Sequence, residues 1–351
     1  MHRSIRLCLA ALLLSCPACV KKPGQTPLAI SNDSQPLASR YPFGSRPHGY
    51  ASGSILPSAS PAARDKAVKD YYDYWKKTYI KDGCNPGEKV VFSHTKPSNL
   101  TVSEAHGYGM IITAYLAGHD PEAKEIFDSM IRYHRAHMSR ITSGIMAWSQ
   151  NTNCVDVGGD NGATDGDLDI AYAFLLADKQ WGSCGAVNYR EHAEWVIAAM
   201  SKSEFDGEGR YPLLGDWVTP NDGHYRGSRI SDFMGSHFRA YQSVSDDPLW
   251  VGILPNTYWI AEKLQTSSAP DTGLLPDFAI GTRTDSPQPA TNGFLEGKRD
   301  GSYAYNACRI PLRMGTDFLL SGDDRPRRIA QRLNRFAREV SGGDPKNLRG
   351  G

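Results

Sequence analysis

Three stretches of this 351-residue chain carry side chains whose types and spacing could do chemistry. In the first, Ser103-Glu104-Ala105-His106-Gly107-Tyr108-Gly109-Met110, a carboxylate stands where an irregular glycine-containing stretch runs into a helix. Burial at such a place raises a carboxyl toward a pKa of about 6 to 7, where it can act as a general acid near neutral pH. Tyr108 is then a hydrogen-bonding neighbour. The competing reading is a helix-start Glu held there by the helix dipole alone. The second stretch, Ala163-Thr164-Asp165-Gly166-Asp167-Leu168-Asp169-Ile170-Ala171, packs three carboxylates just before and into a helix. Their alternation imitates the first ligands of a calcium loop, but Ile170 stands where Gly is needed and Leu176 where the bidentate Glu belongs, so that reading fails. N-capping by Thr164 or Asp165 accounts for one such residue and leaves the others without a role. Clustered carboxylates in an otherwise neutral chain suggest ring hydroxyls as ligands. The third stretch pairs Phe294-Leu295-Glu296 with the later Tyr305-Asn306-Ala307-Cys308-Arg309-Ile310-Pro311-Leu312-Arg313. A fourth pattern, His134-x-x-His137, lacks a helical carboxylate partner, and catalytic zinc takes three protein ligands, so no metal is expected there.

The elements that must position these groups read as helices. Ser60-Pro61 predicts an N-cap followed by Pro at the first helical position, with Val68, Tyr71, Tyr72, Trp75 and Tyr79 on one face. Further helices are predicted over 109–117, 121–137, 167–179, 189–201, 230–241, 248–264 and 303–320. Ile170, Ala173, Phe174, Ala177 and Trp181 share a face, as do His192, Trp195, Val196, Ala199 and Met200. Strand-like alternation is scarce. Between the helices run loops rich in Asp, Gly, Asn and aromatic residues, over 156–166, 207–227 and 269–301, longer than compact folds need and of the kind that carries function. An all-α fold follows, a closed ring of helical hairpins with the substrate face built from those loops; an open superhelical array is the alternative.

Composition narrows the partners. The 39 basic and 38 acidic side chains leave no net field to draw nucleic acid or an anionic membrane. A neutral polymer suits the chain, and its Trp and Tyr rings offer flat faces for sugars. Arg3 and Arg6 ahead of the apolar run Leu7 to Leu14 read as an export signal over 1–19, and Leu13-Leu14-Ser15-Cys16 resembles a lipoprotein box, so the chain is expected to be exported, secreted or attached to the bacterial envelope by a lipid anchor. Residues 20–60 read as a tether and extended lead-in, and 61–351 as the catalytic unit, expected to be a monomer. Of the later cysteines, Cys84, Cys154 and Cys184 stand open to pairing, whereas Cys308 sits in an apolar helical pattern that suits a buried free thiol as well as a bridge.

Taken together, SEAHGYGM, ATDGDLDIAYAFLLADKQW and YNACRIPLR resemble the three signatures of glycoside hydrolase family 8, in that family's order. The resemblance runs from about Tyr41 to Leu320 and includes Met146-Ala147-Trp148, Leu214-Gly215-Asp216-Trp217, Ser231-Asp232-Phe233 with Ser236-His237, and Thr272-Gly273-Leu274-Leu275-Pro276-Asp277-Phe278. It implies an (α/α)6 barrel, no cofactor, and endo-acting hydrolysis of a β-1,4-linked polysaccharide such as cellulose or another β-glucan, chitosan or xylan, with inversion at the anomeric carbon. Carried over, Glu104 matches the proton donor and Asp165 the residue holding the sugar being cleaved, with Asp167 a second substrate-binding candidate. Many members place a catalytic Asp where this chain has Asn306. The chain therefore resembles the branch that supplies a Glu from the preceding loop, which selects Glu296 as the base, with Asp300 and Asp277 as fallbacks. Trp148, Trp217, Tyr305 and Asn306 become candidates for lining the cleft, and Arg309 for orienting a carboxylate; core packing explains the aromatic residues equally well. Two departures stand out: Ala105 replaces the usual Gly, and the family's barrel normally continues past the equivalent of Gly351, so the ring is expected to be incomplete at the C-terminus. The rival readings are a carbohydrate-binding pseudoenzyme of the cell envelope and a polysaccharide lyase, the latter disfavoured by the charge balance.

Overall fold

A computed structural model describes residues 38–46, 49–93 and 98–348. The expected export signal and lipoprotein box lie outside the described residues, and the lead-in, described from residue 38, runs through turns and bends to Ser60. There α1 (Pro61–Tyr79) starts as expected, with the Ser60 hydroxyl accepting from the Ala63 N–H at 3.2 Å and Pro61 at the first turn. Its apolar stripe splits, however. Tyr72 is buried and hydrogen-bonded to Asp120, whereas Val68 and Tyr71 are exposed among the described residues.

Two short strands, β1 (Ile80–Asp82) and β2 (Lys89–Val91), form a hairpin, and β3 (Asn99–Val102) leads into α2 (Ser103–Tyr115). Then follow α3 (Ala123–Ala136), β4 (Ser149–Asn151, antiparallel to β3), α4 (Thr164–Trp181), α5 (Tyr189–Ser203), β5 (Gly227–Arg229), α6 (Gly235–Gln242) and α7 (Leu249–Ser267). Strands β6 (Phe278–Ile280) and β7 (Gln288–Pro289) complete a three-stranded sheet with β5, ahead of α8 (Ile310–Ser321) and α9 (Asp324–Ser341). Helices α2, α4, α6 and α8 pack side by side in that order, and each packs on the helix that follows it, α3, α5, α7 and α9. This is the hairpin arrangement of an (α/α)6 barrel, and the all-α expectation holds.

One buried ionic knot ties the four inner helices. Asp169 of α4 accepts from Arg313 of α8 at 2.9 and 3.1 Å and from His237 of α6 at 2.8 Å, and Arg313 reaches the Tyr108 hydroxyl of α2 at 3.0 Å. Burial alone would raise the Asp169 carboxyl, but Arg313 and His237 outweigh it and hold the group below the ordinary carboxylate range. A charge left unpaired there would cost several kcal/mol, so each member requires the others.

Three helix starts differ from expectation by five residues or more. Helix α2 begins at Ser103, ahead of the expected 109, because Val102 supplies no side-chain cap to mark the start. Helix α6 begins at Gly235 after a 3-10 turn over Ile230–Asp232, and α8 begins at Ile310 after a 3-10 turn over Ala307–Arg309, not at 303. Helix α9 was not anticipated at all, although Asp323 caps it, Ile329 and Leu333 bury one face, and Gly342 closes it in the left-handed conformation. Cys84 is bonded to Cys154 across 70 residues and Cys184 is also disulfide-bonded, while Cys308 is a free thiol on the exposed side of its turn instead of a buried one. His134 and His137 hydrogen-bond to the Gly144 carbonyl and to Asp156, and among the described residues no group of side chains has the make-up of a metal site. Among the same residues no helix is long and apolar enough to cross a membrane.

Candidate active site

Glu104 and Asp165 are each the second residue of a helix, and their meeting depends on how closely α2 crosses α4. A methyl group at Gly166 would stand 2.2 Å from the Ser103 hydroxyl, and one at Gly107 would stand 2.8 Å from Asp169 Cβ and 2.9 Å from the Gly166 carbonyl. Both glycines of the motifs therefore serve helix contact, with no positive φ involved. We expect Gly166→Ala to push the helices apart, costing about 1–3 kcal/mol of stability by overpacking. Thermal unfolding measures this, and a variant as stable as the parent would mean that the crossing can relax.

At this crossing the arginine of α8's lead-in ties the site together. Arg309 contacts Glu104, and its guanidinium also reaches Asp165 at 3.0 Å, the Ser231 hydroxyl at 3.0 Å and the Asn306 side-chain carbonyl at 2.7 Å. The Asn306 amide in turn donates to Glu296 at 2.8 Å. A continuous path thus runs from Glu104 through Arg309 and Asn306 to Glu296, with a guanidinium and an amide between the two carboxyls. Buried Arg229, at the end of β5, closes the other side, lying 3.1 Å from Glu296, 3.5 Å from Asp232 and 3.8 Å from Asp165. Burial opposes the charge on Arg229, but Asp165, Asp232 and Glu296 more than offset it and keep the guanidinium charged. Burial and the neighbouring Asp169 raise the Asp165 carboxyl, with Arg229 opposing. Burial, helped by Asp165, pushes Asp232 up to about 8 against the pull of Arg229.

Glu296 is the accessible carboxylate of the third segment, with its side chain 44% exposed. Neither fallback matches it. Asp300 is buried and accepts the backbone N–H groups of Leu295, Glu296 and Gly297 at 2.7, 3.1 and 2.9 Å, which shapes the turn that presents Glu296. Asp277 is buried and accepts from the N–H groups of Ala304 and Ala307 at 3.0 and 2.7 Å, anchoring the turn that carries Asn306. Both carboxylates act as backbone anchors.

Asp167 departs from its expected role as a sugar ligand. It is fully buried and accepts the Met146 N–H at 2.8 Å, so no sugar can reach it. Tyr108 is half-buried and belongs to the Arg313 knot. Trp148 and Trp217 are half-buried. The Trp148 indole donates to the Gly158 carbonyl at 2.9 Å, and a Cβ at Gly158, whose φ is +80°, would strike the ring at 2.5 Å. Trp217 meets His224 edge-on at 5.3 Å, and His224 meets Phe294, two residues before Glu296, at 5.1 Å. Tyr305 is 78% exposed, so it is free to stack and is not a core residue. The residues missed in the sequence are Arg229, Ser231 as an arginine acceptor, and Glu204. The signal for Arg229 was present, since a cation beside Ile230-Ser231-Asp232 in an apolar setting must find carboxylate partners.

Helical hairpins packed side by side thus gather Glu104, Asp165, Asp232 and Glu296 around the guanidinium groups of Arg309 and Arg229. The sequence model for Glycosyl hydrolases family 8 matches residues 55–342, and the chain belongs to that family. It is 40% identical to a "Beta-glucanase" of Niallia circulans over 86% of this chain and 73% of that protein, and 37% identical to an "Endoglucanase" of Bacillus sp. (strain KSM-330) over 85% and 65%. The apo structure of a beta-1,3-1,4-glucanase from Paenibacillus sp.X4 superposes with a TM-score of 0.81 at 41% identity, covering 85% of this chain and 78% of that one. A reducing-end-xylose releasing exo-oligoxylanase, at 17% identity and a TM-score of 0.65, shares the fold alone.

Proposed function

We propose that the chain is an endo-acting, inverting hydrolase of a neutral β-glucan with β-1,4 links, in which Glu104 protonates the departing sugar oxygen and Glu296 takes a proton from the attacking water. The observation that carries this reading is the Glu104–Arg309–Asn306–Glu296 path, which links two carboxyls through a guanidinium and an amide instead of letting them meet. Inverting hydrolases hold such a pair about 6.5–9.5 Å apart so that a water fits on the face opposite the leaving group. Asp165 holds the sugar at the point of cleavage, Asn306 orients Glu296, and Trp148, Trp217 and Tyr305 give neighbouring sugars apolar faces to stack on.

The choice of a neutral glucan over chitosan rests on charge. The carboxylates at the cleft face Arg309 and Arg229, leaving little net negative field for a cationic polymer. The names of the relatives at 40% and 41% identity point the same way. The disulfides of Cys84, Cys154 and Cys184 suit an exported protein, secreted or lipid-anchored.

Incubation with lichenan, carboxymethylcellulose, chitosan and xylan, following reducing ends and the anomeric configuration of the first product, tests the proposal. Fastest cleavage of a β-glucan, with inversion, is expected. Preference for chitosan would overturn the charge argument, net retention would overturn the mechanism, and no cleavage by folded protein would favour a carbohydrate-binding role without turnover.

A further inference from the structure

Behind the cleft, three acidic side chains converge on Gly162 with no cation among them. Asp216 accepts the Gly162 N–H at 2.8 Å and is also bonded to the Ser139 hydroxyl. A Cβ placed on Gly162 would lie 3.1 Å from Glu204 Oε1 and 3.4 Å from Asp167 Oδ2, so these two oxygens flank the same point. Asp167 and Glu204 are both fully buried, and neither oxygen of Glu204 nor Oδ2 of Asp167 receives an N–H or hydroxyl from any described residue. The charged groups that act most strongly on the pair are Asp216 and Asp165, with Asp232 acting on Glu204, all acidic, while Arg229 and Arg309 are engaged with the cleft carboxylates.

Two carboxylates that flank one buried point without a donor cannot both stay ionised there. One proton between them removes the repulsion and makes a strong charge-assisted hydrogen bond. We propose that Asp167 and Glu204 share one proton, and that this carboxyl–carboxylate pair is a positioning device holding the first turn of α4 against the Met146-Ala147-Trp148 segment. The connections are direct. Oδ1 of Asp167 holds the Met146 N–H, Trp148 follows two residues later, and Asp165 precedes Asp167 in the same helical turn. Glu204 closes the end of α5 and pairs through its backbone with Leu213, so the shared proton ties α4, α5 and the cleft rim at one point.

Burial raises both carboxyls well above their ordinary range; Asp216 and Asp165 raise both further and Asp167 raises Glu204, while the Met146 N–H and Glu204 itself pull Asp167 back down. For groups raised in the folded state, the stability they contribute is complete below the unfolded carboxylate value and is lost as pH rises through the folded value. Wild-type protein, scanned without substrate, should therefore unfold at progressively lower temperature as pH rises above the ordinary carboxylate value of about 4, and Glu204→Gln, whose amide donates without titrating, should lose much of that slope. The kinetic half rests on the hydrolase reading. Glu204→Gln should keep kcat within about twofold of wild type at pH 6 and extend activity to higher pH, whereas Glu204→Leu, which leaves Asp167 without a donor, should lower kcat tenfold or more with KM changed less than about threefold. Parallel pH slopes for wild type and Glu204→Gln would overturn the shared proton, and wild-type kcat in a folded Glu204→Leu would overturn the positioning role. A difference in slopes in a protein that cleaves no glucan would uphold the shared proton and sink the hydrolase reading instead.

Discussion

Glu104→Gln is expected to lower kcat on β-glucan by roughly a thousandfold, within the 10²–10⁴ range that a positioned acid contributes. Gln keeps the size of the side chain and a carbonyl that Arg309 can still donate to, so the close Glu104–Arg309 contact survives in neutral form. What is lost is the proton for the departing oxygen. The loss should therefore depend on the leaving group. With a dinitrophenyl β-cello-oligosaccharide, whose phenolate departs without protonation, the deficit should shrink to less than about tenfold, because the other parts of the site remain intact. Comparison of kcat for the two substrates decides the matter. An equal deficit on both would mean that Glu104 shapes the site without donating a proton.

Glu296→Gln should be as damaging, but without the dependence on leaving group. Water must be activated whichever group departs, so kcat is expected to fall by about a thousandfold on both β-glucan and the dinitrophenyl substrate. The partially exposed side chain makes its contacts with Arg229 and Asn306 at the cleft surface, so the unfolding temperature should stay close to that of wild type. That control separates chemistry from folding. Near-normal turnover would remove Glu296 from the mechanism and return attention to Asp300 or Asp277, which would first have to release the backbone N–H groups they now hold. The two variants together form a test with a pattern of outcomes, since an acid and a base respond differently to the same change of leaving group.

Much of this arrangement was readable from residue order, and the misreadings have identifiable physical causes. Apolar periodicity located most helices because each buries one face, and Ser60-Pro61 marked its start with a cap that the structure retains. Where no cap exists, as at Val102, the helix start was misplaced. The Asp165, Asp167 and Asp169 cluster was read as one carboxylate patch, yet on a helix residues two apart diverge by about 200°. Asp165 reaches Arg309, Asp167 reaches the Met146 N–H, and Asp169 reaches Arg313. Proximity in sequence concealed three separate jobs. Arg229 and Glu204 were overlooked because their partners lie far along the chain, Arg229 meeting Glu296 across 67 residues and Glu204 meeting Asp167 on the preceding helix. Asn306 was recognised as a departure from the commoner Asp, but that its two ends join Glu296 and Arg309 emerges only once the turn over Ala307–Arg309 has formed.

The close crossing of α2 and α4 also bears on how such an enzyme can change during evolution. With no space for a single methyl at Gly107 or Gly166, the separation between the first turns bearing Glu104 and Asp165 has almost no small substitutional steps available to it. New substrate preferences must then arise elsewhere, in the long connections that carry Trp217, His224 and Glu296, where length and side chains can drift without parting the helices. The two helices are the inherited part of the design, and the loops are where lineages can diverge.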